Sequence, residues 1–125
     1  AKVLLASQVM KKPDVVALWK DGARVAIRKM VEKEISSIFV VDKEQRLKGL
    51  LTVEAALDAI REKRWGEEIL IQDFSTASPD TPLHELIGIA TTTKYPIAVV
   101  EDGKLKGIIV RVSILSGLTL GKKEE

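Results

Sequence analysis

The hydrophobic residues of this chain change their spacing several times, from strand-like runs to helix-like stripes. Residues 38–41 form a β-branched and aromatic run that is typical of a buried strand. Residues 22–34 carry apolar side chains at i, i+3 and i+4, which predicts a helix with one buried face, and Asp21 precedes it as a candidate N-cap. The elements predicted for the first half are a leading helix at 3–11, strands at 14–19, 38–41 and 47–52, and helices at 22–34 and 53–64.

The second half repeats this order. The segment Leu47-Lys48-Gly49-Leu50-Leu51-Thr52 reappears as Leu105-Lys106-Gly107-Ile108-Ile109-Val110, which indicates two copies of one supersecondary unit. Asp102-Gly103 is a strong signal of a hairpin turn. The elements predicted here are strands at 75–78, 96–100 and 105–110, a helix that starts near 80–82, and a helix at 111–119. Each copy is then a β-α-β-β-α unit with too few strands to bury a core alone.

Composition narrows the possible function classes. The formal net charge is only +2 and aromatic side chains are few, so nothing indicates a nucleic-acid-binding surface. The chain has no cysteine, which fits a reducing cytoplasmic location, and no apolar run reaches the about 18 residues of a transmembrane helix. His84 and Ser36 have no neighbouring groups in the sequence that indicate catalysis or metal binding. We therefore expect no catalytic residue, no metal site and no enzymatic activity.

The repeated segments resemble the cystathionine β-synthase (CBS) domain family, as a tandem pair. The resemblance rests on Ile35-Ser36-Ser37 before a strand that ends at Asp42, on Tyr95-Pro96-Ile97, and on the two six-residue segments quoted above. It implies an α/β fold of two pseudo-symmetric units whose small sheets pack through helices. The implied domains are a first unit at 1–64 with its leading helix, a second unit at 65–119, and a flexible tail at 120–125. CBS pairs are regulatory modules that bind adenosine-containing ligands and form disc-like homodimers.

A narrower resemblance lies in residues 107–115, which are similar to the end of the ATPase subunit of glycine betaine, carnitine, choline and proline importers. In those ABC transporter subunits a CBS pair follows the ATPase domain. The chain itself contains no phosphate-binding loop of the Walker type. The resemblance implies an osmoregulatory sensor with an ATPase domain or subunit as its partner, in the cytoplasm and peripheral to the inner membrane.

The nucleotide-binding pattern of the family, Gly-x-x-Thr/Ser-x-x-Asp, is incomplete in both copies. In the first copy Thr52 supplies the hydroxyl, but Ala55 stands at the position of the acid that binds ribose. In the second copy these positions are Val110 and Ser113. Because a charge-assisted hydrogen bond is about twice as strong as a neutral one, we expect ordinary AMP or ATP to bind weakly.

The second copy nevertheless contains features of a ligand site. Arg111 places a cation at the positive end of a predicted helix, where it costs stability unless it meets an anion such as a phosphate. Tyr95 offers a ring for stacking on a purine, with Ile108 and Val110 as an apolar wall, and these residues resemble a cyclic-di-AMP site at the dimer axis of some importer CBS pairs. No cofactor is required; the candidate ligands are cyclic-di-AMP or another adenine nucleotide. The candidate ligand-binding residues are Ser37, Thr52, Tyr95, Pro96, Ile108, Val110, Arg111 and Ser113.

Three alternatives stay open at the level of the sequence. Basic residues near the predicted turns form a candidate surface for anionic lipid headgroups, which would make an ionic-strength sensor. A module that senses cellular energy through AMP or ATP is the second. The third is a purely structural dimerisation module. The expected homodimer associates through a helix face such as that of Ala55 and Ala59. The basic residues in question are Lys11, Lys12, Lys43, Arg46, Lys48, Lys104 and Lys106.

Overall fold

Two three-stranded sheets and their flanking helices make up the chain. The structure is a computed structural model that describes residues 3–13 and 15–124, with side chains through residue 119. In chain order the elements are α1 (Ala6–Val9), β1 (Val16–Leu18), α2 (Gly22–Lys33), β2 (Ser37–Val41), β3 (Leu47–Thr52), α3 (Val53–Glu62), β4 (Thr76–Ala77), α4 (Leu83–Ala90), β5 (Ile97–Glu101), β6 (Lys104–Ile109) and α5 (Arg111–Glu124). The order of strands and helices predicted from the sequence is confirmed.

The chain divides into two compact units. The first unit is Asp14–Asp73, and the second unit combines Ala1–Pro13 with Phe74–Glu125. The first sheet has the order β1-β2-β3 and the second the order β4-β5-β6. In each sheet the first pair of strands is parallel and the second pair is antiparallel. Each unit is therefore β-α-β-β-α, and the predicted α/β fold class is confirmed.

The repeated glycines occupy the same place in the two sheets. Gly49 pairs with Val40 and Gly107 pairs with Val99, and in both sheets the register shifts at the next residue of the partner strand. Directly after each glycine, the strand pairs with a segment from elsewhere in its own unit. Leu50 exchanges two backbone hydrogen bonds of 2.9 and 2.8 Å with Ile71, and Ile108 exchanges two of 2.9 and 2.8 Å with Lys11. These segments pass so close to the glycines that a Cβ atom at either position would collide with them.

Each unit has its own hydrophobic core. The first contains Ala17, Ala26, Met30, Ile38, Val40, Leu51, Ala56 and Leu70. The second contains Ala6, Val9, Leu86, Ile97, Val99, Ile109 and Ile114. The short helix α1 thus packs with the second repeat, although it precedes the first in sequence. The predicted domain boundaries at 64 and 119 stay a prediction, since they refer to the sequence repeat.

Several local expectations differ from the structure. Asp21 precedes α2, but its side chain makes no capping hydrogen bond, because residues Trp19–Asp21 form a turn of 3-10 helix that leads directly into α2. Ala59, proposed for a dimer face, is only 5% exposed within the core of its own unit. Helix α5 continues to Glu124 instead of ending at 119. The side chains of the predicted flexible tail at 120–125 lie outside the described residues. Among the described helices, none combines the length and apolar content needed to cross a bilayer.

Candidate functional site

A hollow of about 430 Å³ lies in the second unit, where α4 ends, β5 begins, β6 ends and α5 begins. Its position follows from the β-α-β-β-α order, because β5 and β6 are antiparallel and the start of one strand therefore meets the end of the other. Its lining is apolar with a few polar groups, as is typical of sites for small ligands. The lining residues are Ala90, Thr93, Lys94, Tyr95, Pro96, Ile97, Ile109, Val110, Arg111, Val112 and Ile114.

A threonine-rich turn positions Tyr95 at this hollow. The hydroxyls of Thr91 and Thr92 donate to the carbonyl oxygens of Gly88 and Ile89, at 2.7 and 3.2 Å, and so cover the last turn of α4. The hydroxyl of Thr93 donates to the carbonyl oxygen of Tyr95 at 2.9 Å and accepts its N–H at 3.4 Å. Pro96 follows and restricts Tyr95 to extended backbone. The side chain of Thr93 thus fixes both the N–H and the carbonyl group of Tyr95.

The charged groups of the hollow are cations. Arg111, the first residue of α5, and Lys94 both line it, and no carboxylate does so among the described residues. The ammonium of Lys94 lies 5.7 Å from the centroid of the Tyr95 ring, within the range of a cation–π interaction. The first N–H groups of α5 also point towards the start of the helix, and those of Arg111 and Val112 come before the first intrahelical bonds, which the N–H groups of Ser113 and Ile114 donate to the carbonyl oxygen of Val110. Charge and backbone polarity at this end of the hollow therefore favour an anion.

The start of α5 explains how Val110 can precede a helix. Valine has no side-chain acceptor for the free N–H groups of the first turn. Instead, Ser113 in that turn points back, and its Oγ accepts the N–H of Val110 at 3.3 Å. This is one half of the reciprocal arrangement known as a capping box. Ser113 is only 5% exposed and does not line the hollow, so the structure assigns its hydroxyl to the helix start.

The apolar wall is formed by Ile109 and Val110, with Ile97 at the start of β5 and Pro96 directly before it, and does not include Ile108. Side chains alternate between the two faces of a strand, and in β6 the buried face is that of Leu105, Gly107 and Ile109. Ile108 lies on the other face. Its backbone pairs with Lys11. Of the predicted site residues, the structure brings Tyr95, Pro96, Val110 and Arg111 together and leaves Ile108 and Ser113 outside the hollow.

Ser37 and Thr52 lie in the first unit, opposite each other in the register of β2 and β3. The Oγ1 of Thr52 accepts the N–H of Ala55 at 3.1 Å, so Thr52 is the N-cap of α3. Ala55 provides no side-chain acceptor at the position where the family pattern has an acid. These residues therefore form the counterpart of the start of α5 and are not part of the hollow in the second unit.

Sequence reasoning missed Thr93 and Lys94, which line the hollow directly before Tyr95. A signal was nevertheless present, because three hydroxyls followed by a lysine and a tyrosine place polar groups, a cation and a ring within five residues. In the described part of the chain, no group of three His, Asp or Glu side chains is arranged to hold a metal ion.

Comparison with known sequences gives a consistent result. A family model described as CBS domain matches residues 6–62 and 66–119. The chain is 43% identical over 120 residues to the glycine betaine/carnitine transport ATP-binding protein GbuA of Listeria monocytogenes, and 35% identical over 119 residues to the glycine betaine transport ATP-binding protein OpuAA of Bacillus subtilis. These matches cover 95% and 94% of this chain but only 30% and 28% of the relatives. The chain thus spans less than a third of the length of these curated relatives.

Solved structures agree in fold. Staphylococcus aureus OpuCA superimposes with a TM-score of 0.76 at 26% identity, covering 90% of this chain and 97% of that one. CBSX2 in complex with AMP superimposes with a TM-score of 0.78 at 20% identity, covering 94% of this chain and 98% of that one. The CBS domain pair of MJ0100, in complex with 5′-methylthioadenosine and S-adenosyl-L-methionine, superimposes with a TM-score of 0.69 at 23% identity. The match covers 97% of this chain and 99% of that one. The chain therefore belongs to the CBS domain family, as a tandem pair homologous to the CBS regions of glycine betaine transport ATP-binding subunits.

Proposed function

We propose that this chain is the regulatory CBS pair of an osmoprotectant ABC transporter ATPase subunit, and that the hollow of the second unit binds an adenine nucleotide, with cyclic-di-AMP as the favoured ligand. The relatives GbuA and OpuAA support the transporter assignment by sequence. The observation that carries the ligand assignment is the lining of the hollow, which joins a tyrosine ring, an apolar wall and two cations, with no carboxylate among the described lining residues. The role is regulatory and not catalytic, on the cytoplasmic face of the membrane.

Each part of such a ligand has a matching group in the hollow. A purine stacks on the ring of Tyr95 between Pro96 and Val110, since stacking on an aromatic side chain contributes about 1–3 kcal/mol per base. A phosphate lies near Arg111, whose guanidinium suits bidentate contacts with phosphate oxygens. Ribose has no acidic partner, because Ser113 replaces the acid and its hydroxyl already accepts the N–H of Val110. The hollow therefore favours contacts to base and phosphate over contacts to ribose.

A homodimer completes this proposal. On α5 the exposed apolar residues Val112, Leu115 and Leu118 are 59%, 62% and 44% accessible and follow each other at helical spacing. Such a stripe is typical of an interaction surface, and Val112 also lines the hollow. Two copies that associate through α5 about a two-fold axis bring their hollows side by side, and a symmetric dinucleotide then meets the same residues in both copies. The expected stoichiometry is one cyclic-di-AMP per two chains.

Regulation follows if the ligand prefers one arrangement of the two copies. A ligand shifts a conformational equilibrium only by its difference in affinity for the two states. Cyclic-di-AMP, in contact with both copies, binds the arrangement in which the hollows face each other and not one in which they are apart. We infer that this difference is passed to the ATPase domains as a change in their spacing.

Isothermal titration calorimetry of cyclic-di-AMP, AMP and ATP tests the ligand. We expect cyclic-di-AMP to bind with a stoichiometry near one per two chains, and Arg111→Ala to weaken it about 10-fold or more, as for the loss of a charge-assisted hydrogen bond. Arg28→Ala, at an exposed arginine of the first unit, is the matched control and leaves binding unchanged. Undetectable binding to the wild type would remove cyclic-di-AMP as the ligand. Tight binding of AMP would favour an energy sensor instead, and no response to any nucleotide would favour a structural module.

A second candidate function, ionic-strength sensing at an anionic membrane surface, is favoured by one arrangement. Lys104 and Lys106 alternate with buried residues of β6 and are both exposed, and the adjacent segment that pairs with Ile108 carries Lys11 and Lys12. Surface lysines near an anionic membrane contribute about 1 kcal/mol each and act within a Debye length. Co-sedimentation of the wild-type chain with vesicles containing phosphatidylserine should fall steeply between 50 and 300 mM salt. The double variant Lys104→Gln/Lys106→Gln should co-sediment weakly at both salt concentrations. Equal sedimentation of wild type and variant would exclude this surface.

A further inference from the structure

The ring of Tyr95 has a partner within its own chain. The ammonium of Lys94 lies over it, 5.7 Å from the centroid, and both side chains line the hollow. A base that stacks on a ring needs close contact with its face, so the ammonium and a base cannot use the same face at once. Lys94 therefore competes with the base of a ligand for the face of the Tyr95 ring.

We propose that Lys94 determines which ligands the hollow accepts, by exchanging the Tyr95 ring for a ligand phosphate. Without ligand the ammonium covers the ring. When a planar base stacks there, the ammonium moves away from the ring and pairs with the phosphate of that ligand. This inference rests on the proposed function of the hollow and names its ligand class: a planar base that carries at least one phosphate.

The surroundings of Lys94 permit the exchange. Its side chain is exposed, and in the described part of the chain its ammonium forms no salt bridge. A lysine has a flexible four-carbon stem and a compact charge, so it can leave the ring at small cost when another negative group is offered. Thr93 holds both polar groups of the Tyr95 backbone, which keeps the ring in place while the lysine moves.

The exchange has different consequences for neutral and for phosphorylated ligands. For adenosine, Lys94 is only a competitor, because there is no phosphate to receive its charge. Removing an exposed cation–π contact should therefore strengthen adenosine binding about 2- to 5-fold. For cyclic-di-AMP the lysine also supplies a cation, and the loss of that exposed ion pair offsets the gain from removing the competitor. The affinity for cyclic-di-AMP should therefore change less than about 2-fold. A lysine that only contributes general positive charge would not strengthen adenosine binding when it is removed.

The experiment uses Tyr95 as its own reporter. The chain contains one tyrosine, so 3-fluorotyrosine labelling gives one ¹⁹F resonance, at the ring in question. Adenosine and cyclic-di-AMP are titrated into wild type, into Lys94→Met, which keeps the length of the side chain without its charge, and into Lys104→Met. Lys104 is exposed in the same unit but does not line the hollow, so the last variant controls for the loss of one charge.

We expect the ligand-free resonance to shift in Lys94→Met and not in Lys104→Met, adenosine to bind more tightly to Lys94→Met, and the affinity for cyclic-di-AMP to stay within about 2-fold of the wild-type value. An unshifted free resonance would show that the ammonium does not cover the ring and would overturn the proposal. A preference for cyclic-di-AMP over adenosine that is the same in Lys94→Met as in wild type would also overturn it, while leaving the proposed function intact. If neither ligand moves the wild-type resonance, the proposed function of the hollow fails, and the exchange fails with it.

Discussion

Replacing Gly49 by alanine tests whether the close approach of a second segment explains the repeated glycines. The backbone at Gly49 has φ +156°, which L-residues rarely adopt. A Cβ atom there would lie 2.8 Å from the Cβ of Leu70, 2.8 Å from Nε2 of Gln72 and 3.1 Å from the carbonyl oxygen of Ile71. The segment 70–72 cannot retreat freely, because Ile71 exchanges two backbone hydrogen bonds with Leu50.

The expected cost of Gly49→Ala is the sum of two effects. A residue in a rarely populated backbone region costs about 1–3 kcal/mol. Adding a methyl group to a packed site costs about 1–3 kcal/mol when the neighbours must shift. The free energy of unfolding of the first unit should therefore fall by about 2–6 kcal/mol, a large share of the roughly 5–15 kcal/mol typical of a domain.

Three other glycines separate these effects. Gly103 has φ +77° and nothing within 4 Å of an added Cβ, so Gly103→Ala measures the backbone effect alone, about 1–2 kcal/mol. At Gly107 the φ is not unusual, but a Cβ would collide with the side chain of Met10 and lie 2.9 Å from the carbonyl oxygen of Lys11, so Gly107→Ala measures crowding. Gly88 lies inside α4 with open space around it. Gly88→Ala should therefore raise the free energy of unfolding by about 0.5–1 kcal/mol.

Urea unfolding followed by tryptophan fluorescence suits the Gly49 measurement. Trp19 and Trp65, the only tryptophans of the chain, both lie in the first unit and stack with their ring centroids 4.8 Å apart. Far-UV circular dichroism should be recorded in parallel, because a chain of two units need not unfold in one step. If Gly49→Ala destabilises the first unit no more than Gly103→Ala destabilises the second, the crowding argument is refuted.

Two further predictions concern the first unit. Thr52→Ala removes the acceptor of the Ala55 N–H and should lower the free energy of unfolding by about 1 kcal/mol. Thr52→Ser keeps a hydroxyl and should retain most of this stabilisation. Equal losses of stability in the two variants would exclude the N-cap role. For Asp42, desolvation raises the pKa, but the hydrogen bonds from the N–H groups of Arg46 and Glu44 and the nearby cations Arg46 and Lys48 together outweigh it, so its pKa lies below the ordinary 3.8. Because the folded state then prefers the carboxylate, this stabilisation is present above pH 3.8 and is lost as the pH falls through the lower folded value. The stability difference between wild type and Asp42→Ala, from denaturant titrations, should therefore shrink below pH 3.8; a difference that grows on acidification would contradict the shift.

The architecture could be predicted from the sequence because it depends on local patterns. The strand β3 has the predicted bounds, Leu47–Thr52, since its apolar run is flanked by a polar turn and a helix-capping threonine. The hairpin between β5 and β6 follows from Asp102-Gly103, both of which have positive φ. The site is partly predictable as well, because Tyr95, Pro96, Val110 and Arg111 stand at strand ends that the β-α-β-β-α order brings together.

Other features of the site could not be read from the pattern. Ile108 and Ile109 are chemically alike, and only the register of β6 decides that Ile109 lines the hollow. Ser113 was a candidate ligand group, but the geometry of the helix start directs its hydroxyl to the Val110 N–H. Trp19 and Trp65, 46 positions apart, stack within one unit, and the indole N–H of Trp65 donates to the carbonyl oxygen of Trp19 at 2.9 Å. Such contacts depend on three-dimensional distances that residue spacing does not contain.

The sequence by itself determined the duplicated β-α-β-β-α order and the family, because periodicity, turn residues and a repeated glycine segment are local properties of the chain. Only the tertiary structure decided which residues share a surface. It paired Lys11 with Ile108, so that α1 joined the second repeat, and it placed the Lys94 ammonium over the Tyr95 ring inside a hollow whose described charged groups are cations. The physical reason is that backbone pairing and side-chain packing join positions far apart in sequence, and the free energy of those contacts depends on distance and orientation in space.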